Sequence, residues 1–335
     1  MNIRRLGRLD HGDPLHPYLR DHVLPQFGAW RADATFRVFQ SDCSRDVYLY
    51  EEVHHGPRVV CKFYPPKPGR PAWPSPGETE YRNLAHLRSL GFDAAPHYVV
   101  RPLGFEHSLG NVLVMEWLHG DTLCRVIEDA MHQGRRGRLH RKLTALAWFL
   151  ASQHNRTAGD WYVDFDHAHV YMGRLVDSLI HKRGMGQDHS HELWRLREEW
   201  RRRDVMREDR AVLCHGDATP SNFLFGQGRD VLAIDLERML WADRAFDLGR
   251  LCGELAHFFH RGQGDPALAE PFIGHFLWEY CCHFPDRHAA FHAITRRIPF
   301  YMGITLLRIA RNSWIDPDYR WRLVRHAQTI LGALP

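Results

Sequence analysis

The chain has 335 residues, 44% hydrophobic and 25% charged, the composition of a folded globular protein long enough for one large domain or two lobes. Its 44 Lys and Arg against 40 Asp and Glu leave a formal charge of +4, too balanced for nucleic-acid binding, where a strong basic bias or a basic motif is expected. The start MNIRRLGRLDHGDP lacks the apolar stretch of a secretory signal, no run approaches the roughly 18 apolar residues of a membrane span, and the seven cysteines form no CxxC pair; a cytoplasmic protein with reduced thiols and no membrane partner is expected.

The first third predicts strands. ATFRVFQ (34–40) and DVYLYEEV (46–53) carry β-branched and aromatic residues and are joined by the polar turn SDCSR; PRVVCKFY (57–64) follows the turn HHGP as a third strand. The proline-rich stretch PPKPGRPAWPSPG (65–77) must be non-helical. ETEYRNLAHLRSLG (78–91) predicts a helix, with Leu84, Leu87 and Leu90 at three-residue steps and Gly91 to end it. HYVVRPLGFE (97–106) and NVLVMEW (111–117) predict two more strands, and Gly120 marks the boundary between lobes. Beyond it the pattern is mainly helical, over 121–133, 139–155, 165–182, 190–207, 245–261, 266–283, 286–312 and 319–332. Between Arg195 and Arg210, Glu198, Glu199, Asp204, Glu208 and Asp209 interleave with arginines, as on a solvated helix face. His54, His55, His189 and His191 lack the spacing and context of metal ligands and read as surface histidines. One island interrupts the helices: in VLCHGDATPSNFLFGQGRDVLAIDLE (212–237) the runs FLF and VLAID, joined by GQGRD, predict a small hairpin whose ends converge.

That island holds the parts that phosphoryl transfer requires. The reaction needs a carboxylate to orient or deprotonate the attacking hydroxyl, oxygen ligands for Mg²⁺ and a cation on the phosphates. Asp217, in H-G-D, is followed after four residues by Asn222, which opens one arm of the hairpin; Asp235 ends the other arm. This assigns Asp217 as the base and Asn222 and Asp235 as metal ligands, with Gly216 allowing the tight turn and His215 bracing it. In the third strand, Lys62 alternates with Cys61 and Phe63 and so shares a face with Val60 and Tyr64.

HGDATPSN followed by AIDLE resembles the catalytic segment of the aminoglycoside phosphotransferase and choline kinase superfamily, and also the H-R-D-L-x-x-x-N and D-F-G elements of protein kinases. The H-G-D form, and Leu236 and Glu237 in place of Phe and Gly, favour the small-molecule branch. The resemblance implies an α+β, protein-kinase-like two-lobed fold: an N-terminal nucleotide-binding lobe over 1–117, a small antiparallel sheet with one main helix, and over 118–335 a larger, mainly helical lobe with the catalytic loop and substrate site. It implies that Lys62 contacts the α/β-phosphates of ATP and pairs with a helix glutamate. Glu80 is the first candidate because Glu80, Leu84 and Leu87 follow the family's E-x3-L-x2-L pattern; Glu78 is the alternate. LVMEWLHGDTL (113–123) resembles the hinge that joins kinase lobes, so adenine is expected on backbone groups around Glu116 and Leu118, with Met115 at the back of the pocket. In place of a G-x-G-x-x-G loop stands the turn from Ser41 to Asp46, with backbone amides and Ser44 for the phosphates and GTP left open beside ATP as donor. Asp247, in RAFDLGRL, and His154, ending LTALAWFLASQH, match family positions and read as structural braces.

The reading is therefore an ATP- and Mg²⁺-dependent phosphotransferase whose acceptor is a hydroxylated small molecule: an aminoglycoside, an amino alcohol, a sugar or a hydroxy amino acid. Trp241, Asp243, Glu254, Trp278 and Glu279 are candidates for the acceptor wall. A protein kinase is the alternative, disfavoured by the lack of an A-P-E element after Asp235; a non-catalytic nucleotide-binding scaffold is the other, disfavoured by intact Lys62, Asp217 and Asp235.

Overall fold

The computed structural model describes residues 3–41, 46–54, 56–65 and 75–333. The chain divides into two compact units, Met1–Gly120 with Leu232–Arg238, and Asp121–Val231 with Met239–Pro335. Among the described residues no helix is long and apolar enough to cross a membrane.

The first unit is built on a six-stranded antiparallel sheet. In spatial order its strands are Ile3–Arg8, Phe36–Ser41, Val47–Glu52, Arg58–Phe63, Val112–Glu116 and Pro102–Glu106. Alternation divides the side chains between its faces. Phe36, Val38, Tyr50, Val59, Cys61 and Val114 pack with Leu15, Leu19, Val23 and Leu24, which come from successive α, π and 3-10 turns over Leu15–Phe27. The other face meets the helix Pro76–Ser89 through buried Leu84 and Leu87. Ser75 caps that helix, its Oγ accepting from Glu78 N at 3.1 Å.

Two features here depart from expectation. IRRLGR forms an edge strand although its apolar residues do not alternate; backbone pairing with Phe36–Ser41, broken by a bulge between Arg5 and Gly7, replaces the missing side-chain signal. HYVVRPLGFE is not one strand. His97–Val99 pairs with Asp93–Ala94, whereas Pro102–Glu106 joins the six-stranded sheet. Between them the chain leaves the ladder: Val100 N donates to Ala233 O at 3.1 Å and Arg101 N to Glu116 Oε1 at 2.6 Å.

The second unit is mainly helical: Leu123–His132, Arg136–Arg156, Phe165–Arg183, Gln187–Arg201, Ala245–Gln263, Glu270–Cys281, Arg287–Thr295, Ile298–Ala310 and Pro317–Gly332. Thr122, Asp164, Asp286 and Asp316 supply side-chain N-caps, each worth about 1 kcal/mol. The run expected over 286–312 is two helices. Arg297 is N-cap of the second and Pro299, having no N–H to give, sits in its first turn. The predicted 266–283 helix likewise starts as a 3-10 turn, Pro266–Ala269. The arginine-rich segment is only partly a solvated face, because Asp209 at its end holds Arg244 at 3.0 Å and also pairs with Arg297. Gly249 and Gly253 let the helices Ala245–Gln263 and Ile298–Ala310 touch; a Cβ on Gly249 would stand 2.3 Å from Tyr301 Cβ, and one on Gly253 2.8 Å from Thr305 Cβ.

His257, on the inner side of this helix pair, is 6% exposed and lies 2.8 Å from the Tyr319 hydroxyl. Burial, aided by Arg261, His260 and Arg308, pushes its imidazole down from 6.5 to about 4. The unfolded chain therefore binds this proton before the folded one does, and stability present above pH 6.5 drains away as pH falls towards 4. The span corresponds to on the order of 3 kcal/mol at 1.36 kcal/mol per unit. Thermal unfolding of wild type should show a lower Tm at pH 4.5 than at pH 7.5, and His257→Gln should flatten that dependence.

Candidate functional site

The strand Arg58–Phe63 turns Val59 and Cys61 towards the Leu15–Phe27 segment and Lys62 to the opposite face, where the helix Pro76–Ser89 lies. There the Lys62 ammonium donates to Glu80 Oε2 at 2.9 Å, Asp235 Oδ1 at 2.7 Å and Glu237 Oε2 at 3.2 Å. Tyr64 OH donates to the same Glu80 oxygen. Burial works against the ammonium, but Glu80, Asp235, Tyr64 and Glu237 outweigh it and hold the Lys62 pKa above its ordinary value. Glu80 is fully buried, while Glu78 turns away to Arg82 four residues on; of the two glutamates considered, Glu80 is the partner of Lys62.

Asp235 has φ 64°, the left-handed region that a non-glycine residue enters at a cost and that recurs where function dictates the backbone. Leu236 O is held by Asn83 Nδ2 at 2.7 Å, which ties the segment to the helix that carries Glu80. Glu237 was missed by the sequence reading. Spacing along the chain carries no signal for it, because the backbone turns at Asp235 and again at Glu237 instead of continuing as a strand. Ligand oxygens of Glu80, Asp235 and Glu237 lie within 4.8 Å of one another, and the Asp235 and Glu237 side chains are 34% and 26% exposed. Clustered hard oxygens with access to water fit Mg²⁺.

At the end of the same sheet, Met115 is buried and Glu116 is braced, its Oε1 accepting from Tyr98 OH at 2.5 Å and Arg101 N at 2.6 Å. Glu116 N–H donates to Arg101 O and Trp117 N–H to Arg58 O, both at 3.1 Å. Ser44, with residues 42–45 of its turn, lies outside the described residues.

Asp217 and Asn222 belong to the second unit. The strand Val212–Cys214 is fastened to the end of the helix Arg136–Arg156: Leu213 N donates to Thr157 Oγ1 at 3.0 Å and Gln153 Nε2 to Leu213 O at 2.9 Å. The loop that follows turns through Gly216 at φ 80°. Asp247, 0% exposed, accepts the His215 amide at 2.6 Å and the Gly216 amide at 3.0 Å. His154 Nε2 lies 3.2 Å from Asp247 Oδ2, and His154 Nδ1 2.9 Å from Tyr280 OH. Burial pushes His154 down and keeps it neutral, so the network assigns an Nε2–H donor and an Nδ1 acceptor. Burial disfavours the Asp247 carboxylate too, but His154 and the His215 contacts prevail and hold its pKa below the ordinary value. Asn222 closes the loop by donating Nδ2–H to Asp217 O at 2.9 Å. The Asp217 carboxylate itself is gripped by Arg250, Nη1 to Oδ1 at 2.5 Å, a residue the sequence reading passed over. Among the residues proposed for an acceptor wall, Asp243 and Glu254 are buried in ion pairs with Arg297 and Arg308, whereas Trp241 is 43% exposed beside Trp161.

The sequence matches the phosphotransferase enzyme family (APH) over residues 35–284, well over half of the chain. The chain belongs to this family. It is a phosphotransferase with an alcohol group as acceptor. Among solved structures, a Plasmodium vivax ethanolamine kinase superposes with a TM-score of 0.62 at 15% identity, covering 94% of this chain and 86% of that one. A Cryptosporidium parvum choline kinase gives a TM-score of 0.62 at 12% identity, covering 93% of each. The streptomycin–ATP–APH(2'')-IIa ternary complex gives 0.53 at 11% identity, covering 97% of this chain and 98% of that one. At these identities the likeness shows the fold, which is α+β and protein-kinase-like. A comparison with curated proteins finds no match.

Proposed function

We propose that this phosphotransferase moves the γ-phosphoryl group of ATP, with Mg²⁺, to a hydroxyl of a small molecule. The observation that carries the reading is the Lys62 ammonium held by Glu80 and Asp235 at 2.9 and 2.7 Å, a phosphate-binding cation fixed next to carboxylates suited to a metal, in a chain of the phosphotransferase family. ATP is proposed as the donor because it is the nucleotide in the APH(2'')-IIa complex; a backbone carbonyl and an N–H around Glu116 and Leu118 would pair with adenine or guanine alike, so GTP is kept in the test as competitor. On this reading residues 1–117 form the nucleotide-binding lobe, with Lys62 on the α/β-phosphates, Glu80 orienting Lys62, Met115, Glu116 and Leu118 at the base, and Ser44 at the phosphate turn. Residues 118–335 carry the catalytic loop and the acceptor site. Asn222 and Asp235, with Glu237 added, are the proposed metal ligands; Mg²⁺ bound there would neutralise phosphate charge.

Asp217 accepts the acceptor's hydroxyl proton as that oxygen bonds to the γ-phosphorus. The bond from phosphorus to the β,γ-bridging oxygen breaks and ADP leaves with the electron pair. The structural relatives with printed activities act on ethanolamine and choline, and one is bound to streptomycin; amino alcohols and aminoglycosides therefore head the acceptor classes, with sugars and hydroxy amino acids behind them. A cytoplasmic location with reduced thiols completes the proposal. The test is transfer of label from γ-labelled ATP, with and without Mg²⁺, to a pooled panel of these acceptors, with unlabelled GTP as competitor. Label on one acceptor class, dependent on Mg²⁺, is expected. Absence of any Mg²⁺-dependent ATP binding would sink the proposal.

A further inference from the structure

The helix Ala245–Gln263 carries Asp247, Arg250 and Glu254 along one side, at intervals of three and four residues. Asp247 takes the amides of His215 and Gly216; one turn on, Arg250 reaches the Asp217 carboxylate, Nη1 to Oδ1 at 2.5 Å. Glu254 pairs with Arg308 of the helix Ile298–Ala310. The close approach at Gly249 and Gly253 brings this second guanidinium beside the first. Each of the two carboxylates thus has its own arginine. Arg308 has donors to spare: its Nη2 serves Glu254, whereas its Nη1 stands 3.9 Å from Asp217 Oδ1, beyond hydrogen-bond reach, and among the described residues makes no hydrogen bond. The Arg308 and Asp217 side chains are each 15% exposed, against 4% for Arg250. A molecule that sets a hydroxyl on Asp217 therefore also meets Arg308.

We propose that Arg308 selects the acceptor by binding an acid group on it, which makes the acceptor a hydroxylated acid: a hydroxy amino acid, or another small molecule with a carboxylate or phosphate near its hydroxyl. This rests on the reading of Asp217 as the group that meets the acceptor's hydroxyl. A guanidinium presents planar, forked donors that match a carboxylate or a phosphate. With a hydrogen bond of about 2.7–2.9 Å at each end, the 3.9 Å between Arg308 Nη1 and Asp217 Oδ1 is bridged by an acid and a hydroxyl only a few atoms apart in one compact molecule. An ammonium in the same place fares worse. Glu254 is already committed to Arg308 and Asp217 to Arg250, so neither is left as a counter-ion, and the nearest open group is a like charge. Charge beside Asp217 thus places hydroxy amino acids ahead of amino alcohols and aminoglycosides, whose only ionic groups are cations.

The test uses pairs of acceptors that differ only by the acid group: serine and ethanolamine, homoserine and 3-aminopropanol, glycerol 3-phosphate and glycerol. Transfer from γ-labelled ATP with Mg²⁺ should favour the acid member of at least one pair by about 10–100-fold in kcat/KM, the usual worth of a hydrogen bond to a charged group. The first two pairs report a carboxylate and the third a phosphate. Arg308→Gln should bring that ratio close to one, the loss falling on KM for the acid member. Because this variant leaves Glu254 buried without its partner, Arg308→Gln/Glu254→Gln, which removes both charges, replaces it if it does not fold. Label mainly on the acid-free members overturns the proposal. So does an equal fall in kcat for both members in the variant, which would place Arg308 on the transferred phosphoryl group instead. Label on no member overturns it too; Mg²⁺-ATP binding in the same samples then tells the two failures apart, its absence tracing the failure to the phosphotransferase reading and its presence to the acceptor class.

Discussion

Asp217→Asn should lower phosphoryl transfer by about 10²–10⁴-fold, the usual contribution of a positioned proton acceptor, while nucleotide binding stays near wild type. The substitution keeps the shape of the side chain and removes its charge and proton affinity. The backbone of the loop should survive, because its restraints lie elsewhere: Asp247 on the amides of His215 and Gly216, and Asn222 on Asp217 O. Nucleotide affinity should survive because Lys62, Glu80 and Asp235 belong to the other unit. Single-turnover transfer of the γ-phosphoryl group, beside calorimetric titration with Mg²⁺-ATP, separates the two effects. Undiminished turnover in the variant would remove Asp217 from the reaction.

Lys62→Met carries the second large effect, and it falls on stability as well as on affinity. The methionine retains the stem and deletes the cation that Glu80, Asp235 and Glu237 share at 2.9, 2.7 and 3.2 Å. Among the described residues Glu80 Oε1 is already buried without a partner, and its Oε2 would keep only Tyr64. Breaking a buried pair from one side leaves a charge with neither water nor a counter-ion, at a cost of about 3–5 kcal/mol. The sign of the pH dependence follows. With the cation gone, the clustered carboxylates gain stability on protonation, so the deficit relative to wild type should shrink as pH falls from 7 towards 5. Urea unfolding at the two pH values measures it, and Mg²⁺-ATP binding should be lost in parallel. Equal stability of wild type and variant at pH 7 would show that the cluster does not depend on its lysine.

Much of this molecule is legible in its sequence because the information is local. Runs of β-branched and aromatic residues mark the strands 36–41, 47–52, 58–63 and 112–116, and leucines at three-residue steps mark the helix that carries Glu80. Prolines and Asp, Ser and Thr caps locate most helix starts to within a few residues. H-G-D-x4-N and A-I-D-L-E identify the phosphotransferase family because few other chemistries need those residue types at those spacings. What the tertiary structure alone decided is which distant groups share a charge. The edge strand Ile3–Arg8 has no side-chain pattern and exists through backbone pairing. The break of 97–106 depends on carbonyls and carboxylates from elsewhere in the first unit. Glu237 joins Lys62 across 175 residues of chain, and Arg250 and Arg308 meet at Asp217 because glycines at 249 and 253 bring two helices together. Spacing along a chain specifies which side of an element a residue lies on; what faces that side is settled by packing between elements, where a charge is tolerated only if an opposite one arrives beside it.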